Sequence, residues 1–585
     1  MPADTDLSFP DYDNPPVPFF EKYETKIAPF VVFFATVLLT VLSFPPLRAP
    51  EFAYVLAVPA LLWAYRRPSF KRYAAVVLGA QAVAWTILLS WLHHVTWVGL
   101  FLLGPFVGAW IGVWFLAAWW LLPQVVGRGA MVRILAMFGL AGLWVVNEGL
   151  HTWLFGGFPW LPLAASQWER ASILQVAAFT GAGGISFALI TLNLGFAASL
   201  HRLFFERGLQ GLQRRSQEFF AAMFLLIACL CVHVQEAFNR GAYAVPMGRF
   251  GFVQPNVPST VKWDPAAGPG ILDTLEQTTL TVAKRRPDLI LWPEAVTPWA
   301  VRGDATVQAF VEDLARKAEV PILLGSIAIE PPVAGSPADA AETWYNGSFL
   351  VEPSTGLVSG YYAKRHLVPF GEFVPLRPLF GWLEKFVPIG GDFAVGEGAG
   401  LMPVVANREA LLVGPLICYE DIFPGLARES VLAGADLLVV QTNNGWFGEE
   451  GAAFQHAAHS VLRAVETRRP VLRVGNAGWS GWIDEFGSVR ALIQKVVKRN
   501  PDGRLVSVAS SDPNETGTIY FKGSAIADVS RDARWIGRQS FYVQHGNWFG
   551  WTCAALFVAG VVLVRISPPP AVVAPEDDTD EPGAV

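Results

Sequence analysis

The chain is poor in charge and poor in sulfur. Only 16% of its 585 residues are Asp, Glu, Lys or Arg, where a soluble globular protein carries roughly 25%. Hydrophobic residues make up 53% and the mean hydropathy is +0.38. Together these exclude a chain that lives wholly in water. A net charge of −6 lacks the basic excess that a nucleic-acid binder needs, so no nucleic acid is expected as a partner. Four cysteines are present. Cys229 and Cys231 share one apolar run, Cys553 lies in another, and Cys418 stands alone in the polar half, which therefore holds no internal disulfide. Cys/His spacing of the zinc type is missing, so no metal and no cofactor is expected. An unpaired sulfur in a polar domain outside the cytoplasm is a candidate reactive thiol.

What the chain does have is long apolar runs. They lie at 27–44, 52–65, 73–92, 98–122, 134–150, 173–200 and 219–234, with a last one at 548–564. A membrane span needs about 20 apolar residues; the second run is short for one. Arg66, Arg67, Lys71 and Arg72 follow the second run, Arg128 and Arg133 the fourth, and Arg202, Arg207, Arg214 and Arg215 the sixth. The alternate loops are nearly free of Lys and Arg. Basic loops stay cytoplasmic, which predicts an N-terminus inside and a polar domain outside. The expected divisions are a polar tail at 1–26, a membrane domain of about seven helices at 27–240, a polar domain at 241–544, a closing span at 545–566 and a disordered tail at 567–585. The 1–26 stretch lacks the basic start and short apolar core of a cleavable signal peptide. The outer loop at 147–170, NEGLHTWLFGGFPWLPLAASQWER, reads either as an interfacial aromatic belt or as a wall guiding a lipid toward the polar domain. Glu148 at its start is costly near lipid unless paired or wet.

The polar half alternates strand-like and helix-like segments. RFGFVQPNV, DLILWPEA, PILLGSIAI, the pair NGSFLVEP and GLVSGYYAK, LLVGPLICYED, DLLVVQTNN and PVLRVGNAG read as strands. Residues 271–284, 305–318, 425–433 and 452–467 read as helices. Continuous apolar strands between helices predict an α/β domain with its sheets covered. Residues 495–528 show no clear pattern and read as an irregular insertion.

The chemistry centres on LLVGPLICYED, an apolar strand that ends at Cys418. A thiol with a pKa of about 8.5 is mostly protonated at neutral pH and needs a base or a cation to act as a nucleophile. Glu294, at the end of LILWPEA, suits the base. Lys364, in YYAKRHLVPFGEFVP, suits the cation that favours thiolate and oxyanion. The nine histidines show no pattern that ties them to Cys418. Other readings stay open: Glu294 as a helix cap, Lys364 as part of a solvated basic turn, and Glu372 as a structural partner for Lys364.

WPEA, KRHLVPFGE, ICYED and NNGWFG resemble the signatures of the carbon–nitrogen hydrolase (nitrilase) superfamily. The multispan half, the GFPW loop and the closing span are similar to one branch of it, the apolipoprotein N-acyltransferase family, over nearly the whole chain. The resemblance implies a multispan α-helical membrane domain plus an extracytoplasmic α/β nitrilase-like αββα sandwich. It implies Glu294 as general base, Lys364 as oxyanion stabiliser and Cys418 as nucleophile. Glu372 matches a second essential acid supporting the Lys and Cys, Tyr419 and Glu420 match positions beside the nucleophile, and Trp263 in QPNVPSTVKWDP matches a tryptophan of substrate handling. It also implies a phospholipid acyl donor, a diacylglyceryl apolipoprotein acceptor, a Cys418 thioester, a bacterial inner membrane with the polar domain in the periplasm, and a monomer. The apolar stretch at 375–389 fits a lipid-gating arm or an amphipathic helix packed on the domain. His151 stands where the family's loop usually has an arginine, and AASQ replaces GYSQ. Two rivals are a membrane-anchored amidase with the same triad and a transporter or receptor whose outer domain only binds.

Overall fold

The computed structural model describes residues 19–206, 215–258, 260–262, 264–332, 341–374, 377–381, 392–500, 502 and 504–568. Most of both expected tails, most of the 375–389 stretch and Trp263 lie outside these residues.

The apolar runs form helices: α1 (Phe19–Ser43), α2 (Val58–Tyr65), α3 (Phe70–Leu88), α4 (Trp97–Val125) and α5 (Ala130–Leu150). The short second run is a 3-10 turn, Pro50–Tyr54, followed by the eight-residue α2. The run at 173–200 is broken. It begins as α6 (Ala171–Leu174) and α7 (Ala177–Thr180), turns at Gly181 with φ 69°, and only then enters α8 (Ala182–Phe204). A glycine there costs little, because the left-handed region penalises any Cβ. After α9 (Gln217–Tyr243), the last apolar run is the C-terminal helix Trp548–Ile566.

Among the described residues, six helices are long and apolar enough to cross a membrane: α1, α4, α5, α8, α9 and the C-terminal helix. Their outward faces carry large apolar side chains, with Phe30 67%, Phe224 74% and Trp551 77% exposed. Such faces are stable against lipid rather than water. Small residues set the close contacts. A Cβ on Gly108 of α4 would lie 2.3 Å from the Gln81 carbonyl oxygen of α3, and one on Gly142 of α5 would lie 2.5 Å from the Cys553 carbonyl oxygen of the C-terminal helix.

The basic loops gather at one end of this bundle. Arg67 Nη2 donates to Pro123 O (3.0 Å), Arg128 Nη1 donates to Val564 O (2.6 Å), and Arg133 pairs with Glu218 at 2.6 Å. The polar domain sits on the opposite end, where Trp91 and Trp160 both donate to Gln455 Oε1 at 2.9 Å.

The polar domain starts without a break from α9. β1 (Ala244–Gln254), α10 (Gly268–Ala283), β2 (Leu289–Leu291), α11 (Ala305–Ala318), β3 (Ile322–Glu330), β4 (Thr343–Glu352) and β5 (Gly356–Ala363) form its first half. After α12 (Arg377–Phe380) come β6 (Met402–Ala406), β7 (Glu409–Ile417), α13 (Pro424–Leu432), β8 (Leu437–Thr442), α14 (Ala452–Thr467), β9 (Val471–Gly475), β10 (Gly481–Ile483) and β11 (Val489–Leu492). β12 (Gln494–Arg499), β13 (Leu505–Ser510) and β14 (Gly523–Asp532) complete it.

Two six-stranded sheets result, ordered β14-β1-β2-β3-β4-β5 and β11-β10-β9-β8-β7-β6. Their inner faces share one core, with Phe250, Phe252, Leu291 and Leu323 against Val413, Ile417, Val439 and Val474. α10 and α11 cover the first sheet. α13 and α14 cover the second, and their outer side joins the core of the membrane helices. This is the expected αββα sandwich on a helical membrane domain.

The expected irregular insertion at 495–528 is in part regular. β12 pairs antiparallel with β13, and β14 runs antiparallel to β1 from Gly523↔Gln254 to Asp532↔Ala244. Its side chains in the core between the sheets are Ala525, Ala527 and Val529, so that face lacks the run of large β-branched residues that marks a buried strand.

Candidate active site

Parallel strands β1, β2 and β3 in one sheet and β7, β8 and β9 in the other deliver their carboxyl ends to one edge of the sandwich. In open α/β sheets that edge is where chemistry collects. Glu294 follows β2, Cys418 follows β7, and Thr442 ends β8. Two chain reversals aim the groups: Cys418 has φ 50° and Ala295, beside Glu294, has φ 41°. A non-glycine residue held there stores roughly 1–3 kcal/mol of strain, which persists only where packing over-determines it. Cys418 and Glu294 are both buried, and Lys364 is 1% exposed.

The contacts converge on Lys364. Its Nζ donates to Glu294 Oε1 (3.3 Å) and to Glu372 Oε1 (2.9 Å). Asn346 Nδ2, on β4, donates to the same two oxygens at 3.0 Å each. Val368 N donates to Glu372 Oε2 at 2.8 Å. On the other sheet, Thr442 Oγ1 donates to Cys418 Sγ at 3.3 Å, and the Asn443 amide also hydrogen-bonds the sulfur. The thiol hydrogen-bonds Glu294. Lys364 therefore does not lie on a solvated turn. Glu294 caps no helix either, since Asp304 caps α11.

Electrostatics assign the protons. Burial pushes the Cys418 thiol up to about 12, and the Glu294 carboxylate adds to that; Lys364, Thr442 and Asn443 pull the other way without winning. Burial also favours a neutral Glu294, but Lys364, Lys262 and the hydrogen bonds from Asn346 and Cys418 outweigh it and hold the carboxyl below its ordinary value. Lys364 loses charge preference to burial and more than regains it from Glu372 and Glu294, so it stays an ammonium. The resting arrangement is a thiol facing a carboxylate beside an ammonium. Such a site can deprotonate the thiol onto Glu294 as the sulfur attacks, and can hold a developing oxyanion near Lys364.

Glu420 joins the two sheets. It accepts from Ile417 N (2.7 Å), Arg365 N (2.6 Å), His366 N (3.1 Å) and Tyr362 Oη (2.7 Å). It thus locks the chain after Lys364 against the strand bearing Cys418. Tyr419 points away from the sulfur: its Oη donates to Gly157 O at 2.7 Å, in the GFPW loop. His366 Nε2 lies 3.0 Å from Gly156 O in the same loop. That loop is neither a simple belt nor an open wall. Trp160 and Trp168 are buried against the polar domain, while Trp153 stands clear at 64% exposed. Glu148 is paired, accepting from Trp144 Nε1 and Leu163 N at 2.7 Å each.

Sequence reasoning missed three groups. Asn346 sits mid-strand in NGSFLVEP with no local signal. His456 is tied to Cys418 after all, through the backbone: its Nε2 lies 3.1 Å from Cys418 O and 2.8 Å from Asp421 Oδ1, while Arg473 Nη1 donates to Asp421 Oδ2 at 2.6 Å. Lys262 is buried beside Glu294, Cys418, Glu372 and Lys364. Its place next to Trp263 in QPNVPSTVKWDP was the available hint.

Comparison with known proteins agrees with both halves. Sequence models match carbon–nitrogen hydrolase at residues 250–530 and the apolipoprotein N-acyltransferase N-terminal domain at residues 36–195. An apolipoprotein N-acyltransferase from Geobacter metallireducens is 29% identical over 540 residues, covering 90% of this chain and 92% of its own length. One from Methylococcus capsulatus is 33% identical over 410 residues, covering 68% of this chain and 73% of its own. Among solved structures, a carbon–nitrogen hydrolase superfamily protein from Xanthomonas campestris aligns with 45% of this chain and 90% of its own at 19% identity and a TM-score of 0.31.

Proposed function

The chain belongs to the apolipoprotein N-acyltransferase family, and from that premise we propose a two-step acyl transfer through Cys418. In the first step Glu294 accepts the Sγ proton as sulfur attacks the sn-1 ester carbonyl of a phospholipid. Lys364 neutralises the tetrahedral oxyanion. Collapse breaks the ester C–O bond, Glu294 returns its proton to the departing lysophospholipid, and a thioester remains. In the second step the α-amine of an apolipoprotein's N-terminal diacylglyceryl-cysteine attacks the thioester. Glu294 takes a proton from the nitrogen and passes it to Sγ as the C–S bond breaks, so the thiol and the carboxylate are restored as the amide leaves.

The observation that carries this reading is the convergence of Glu294 and Lys364 on a buried Cys418 held at a backbone turn. Glu372 serves as the acid that orients Lys364, with Glu420 and Tyr419 as positioning residues and Trp263 as a group that handles substrate. The membrane domain supplies the rest of the logic. Both substrates are anchored by acyl chains, and extracting a chain into water costs about 0.8 kcal/mol per methylene. A site standing on the bundle end opposite the basic loops receives lipid without that cost. By the positive-inside rule that end faces away from the cytoplasm, which supports a periplasmic catalytic domain; the reading is completed by a bacterial inner membrane and a monomer divided at 27–240, 241–544 and 545–566.

Intact mass spectrometry of the purified protein with phospholipid tests it. Wild type gains one hydroxylamine-sensitive acyl adduct, Cys418→Ala gains none, and a diacylated lipopeptide discharges the adduct. An adduct cleared equally fast by water alone replaces the transferase with the amidase-like hydrolase. No adduct on a folded wild type removes the thioester.

A further inference from the structure

Lys262 lies beyond β1, buried within electrostatic reach of Glu294, Cys418, Glu372 and Lys364, and the chain that leads to it is held from the opposite sheet. Asn256 N donates to Asn476 O at 2.8 Å, and Val257 N donates to Asn476 Oδ1 at 2.9 Å. Asn476 Nδ2 donates back to Val257 O at 2.7 Å and on to Asn443 Oδ1 at 3.0 Å. Asn443 follows Thr442, whose hydroxyl meets Cys418 Sγ. Two asparagines therefore hold Asn256 and Val257, at the start of the segment that leads to Lys262, in register with Cys418. The side chain is 5% exposed. The charged or ionisable groups it faces are Glu294, Cys418, Glu372 and Lys364.

Burying an ammonium is costly unless local charge compensates, so the charges of the cleft decide what Lys262 does. Glu294 and Glu372 bring two negative charges and Lys364 brings one positive. With Lys262 protonated, the resting cleft with its neutral thiol is balanced. Moving the Sγ proton to Glu294 keeps the balance, and so does passing the sulfur's charge to the tetrahedral oxyanion. Without Lys262 each of these states carries one uncompensated negative charge in a dry site.

We propose that Lys262 is a second cation of the reaction centre, which keeps Glu294 ionised as the base and shares with Lys364 the charge of the thiolate and of the oxyanion. The role rests on Cys418 being the nucleophile. Burial pulls the Lys262 ammonium down to about 8 against the opposing pull of Glu294, Cys418 and Glu372. Its charge, and the reactivity that depends on it, is lost as pH rises through that value.

The test measures Cys418 carboxamidomethylation by iodoacetamide, quantified on the Cys418 peptide, and single-turnover acylation by phospholipid, both from pH 6 to 10. Wild type, Lys262→Met and Lys262→Arg are compared in detergent, with thermal unfolding as the control for folding. Lys262→Met lowers both rates at pH 7 by about tenfold or more, the effect of one pKa unit or more on the thiol and its base. Wild-type acylation falls above pH 8. Lys262→Arg restores the rates and removes that alkaline fall, because a guanidinium stays charged. Wild-type rates in Lys262→Met, or a Lys262→Arg protein that melts normally yet reacts as slowly as Lys262→Met, overturns the proposal. A wild type whose alkylation depends on Lys262 but which takes no acyl chain supports the second cation and removes the acyl-transfer reading instead.

Discussion

Replacing Lys364 with Met isolates the charge that the site is built around. In the native protein two glutamates accept from one ammonium and from one amide nitrogen, at 2.9–3.3 Å. With Lys364 1% and the glutamates 10% and 13% exposed, solvent screens little. Removing one partner of a buried ion pair costs about 3–5 kcal/mol, and the loss depends on pH with a definite sign. In wild type the Glu294 carboxyl is held below its ordinary value. It therefore contributes stability above roughly pH 4.3, its unfolded value, and loses it as pH falls through the lower folded value. In Lys364→Met burial and the neighbouring Glu372 outweigh what Lys262 and Asn346 still supply and push it upward, so the folded state gains a proton more easily than the unfolded one. The destabilisation is then greatest near pH 7.5 and shrinks toward pH 5. Thermal unfolding in detergent at those two pH values reads this directly. Acyl-adduct formation falls at least about 100-fold. Adding Glu372→Gln recovers most of the stability and none of the activity. An equal loss at both pH values, or retained acylation, refutes the account of a shared buried ammonium.

Other outcomes follow from the same contacts. Glu294→Gln leaves the protein folded but slows acyl-adduct formation by about 10²–10⁴-fold in a single-turnover assay, the range of a lost general base; wild-type acylation stays level as pH falls from 7 until the depressed carboxyl range. Gly157→Ala introduces a Cβ 2.4 Å from Thr152 O and 2.9 Å from Phe423 Cε1 at φ 79°, so it undocks the GFPW loop and lowers the melting temperature. Tyr419→Phe leaves Gly157 O buried without its donor, at a cost of about 1–3 kcal/mol, while Cys418 alkylation at pH 7 stays near wild type.

Where local pattern and burial coincided, the fold was legible. α11 and α14 are bounded as read from the sequence, and β4 and β5 pair as the neighbouring segments NGSFLVEP and GLVSGYYAK predict. β14 was hidden because its inward residues are small enough to pass beside β1, and the hairpin of β12 and β13 because its exposed face carries Val497, Leu505 and Val508. Glu294, Lys364 and Cys418 were legible because each ends a strand-like segment, and the structure brings them together. Asn346 and His456 reach the site through long-range packing that leaves no trace in spacing, and the His456 contact is to a backbone oxygen, which no side-chain pattern encodes; Lys262 had only its place beside Trp263 as a hint.

Helix α14 is buried along nearly its full length, on one side by its own sheet and on the other by the membrane half. A catalytic domain cut out at 241–544 would expose that second face, including Gln455, which answers two tryptophans from the membrane half, and would behave in water as a sticky, half-finished surface. The two halves are thus inseparable in inheritance as well as in structure. Recombination that swaps either one with a relative must carry the matching residues of the other, and an engineer wanting a soluble version must first redesign the outside of a single helix.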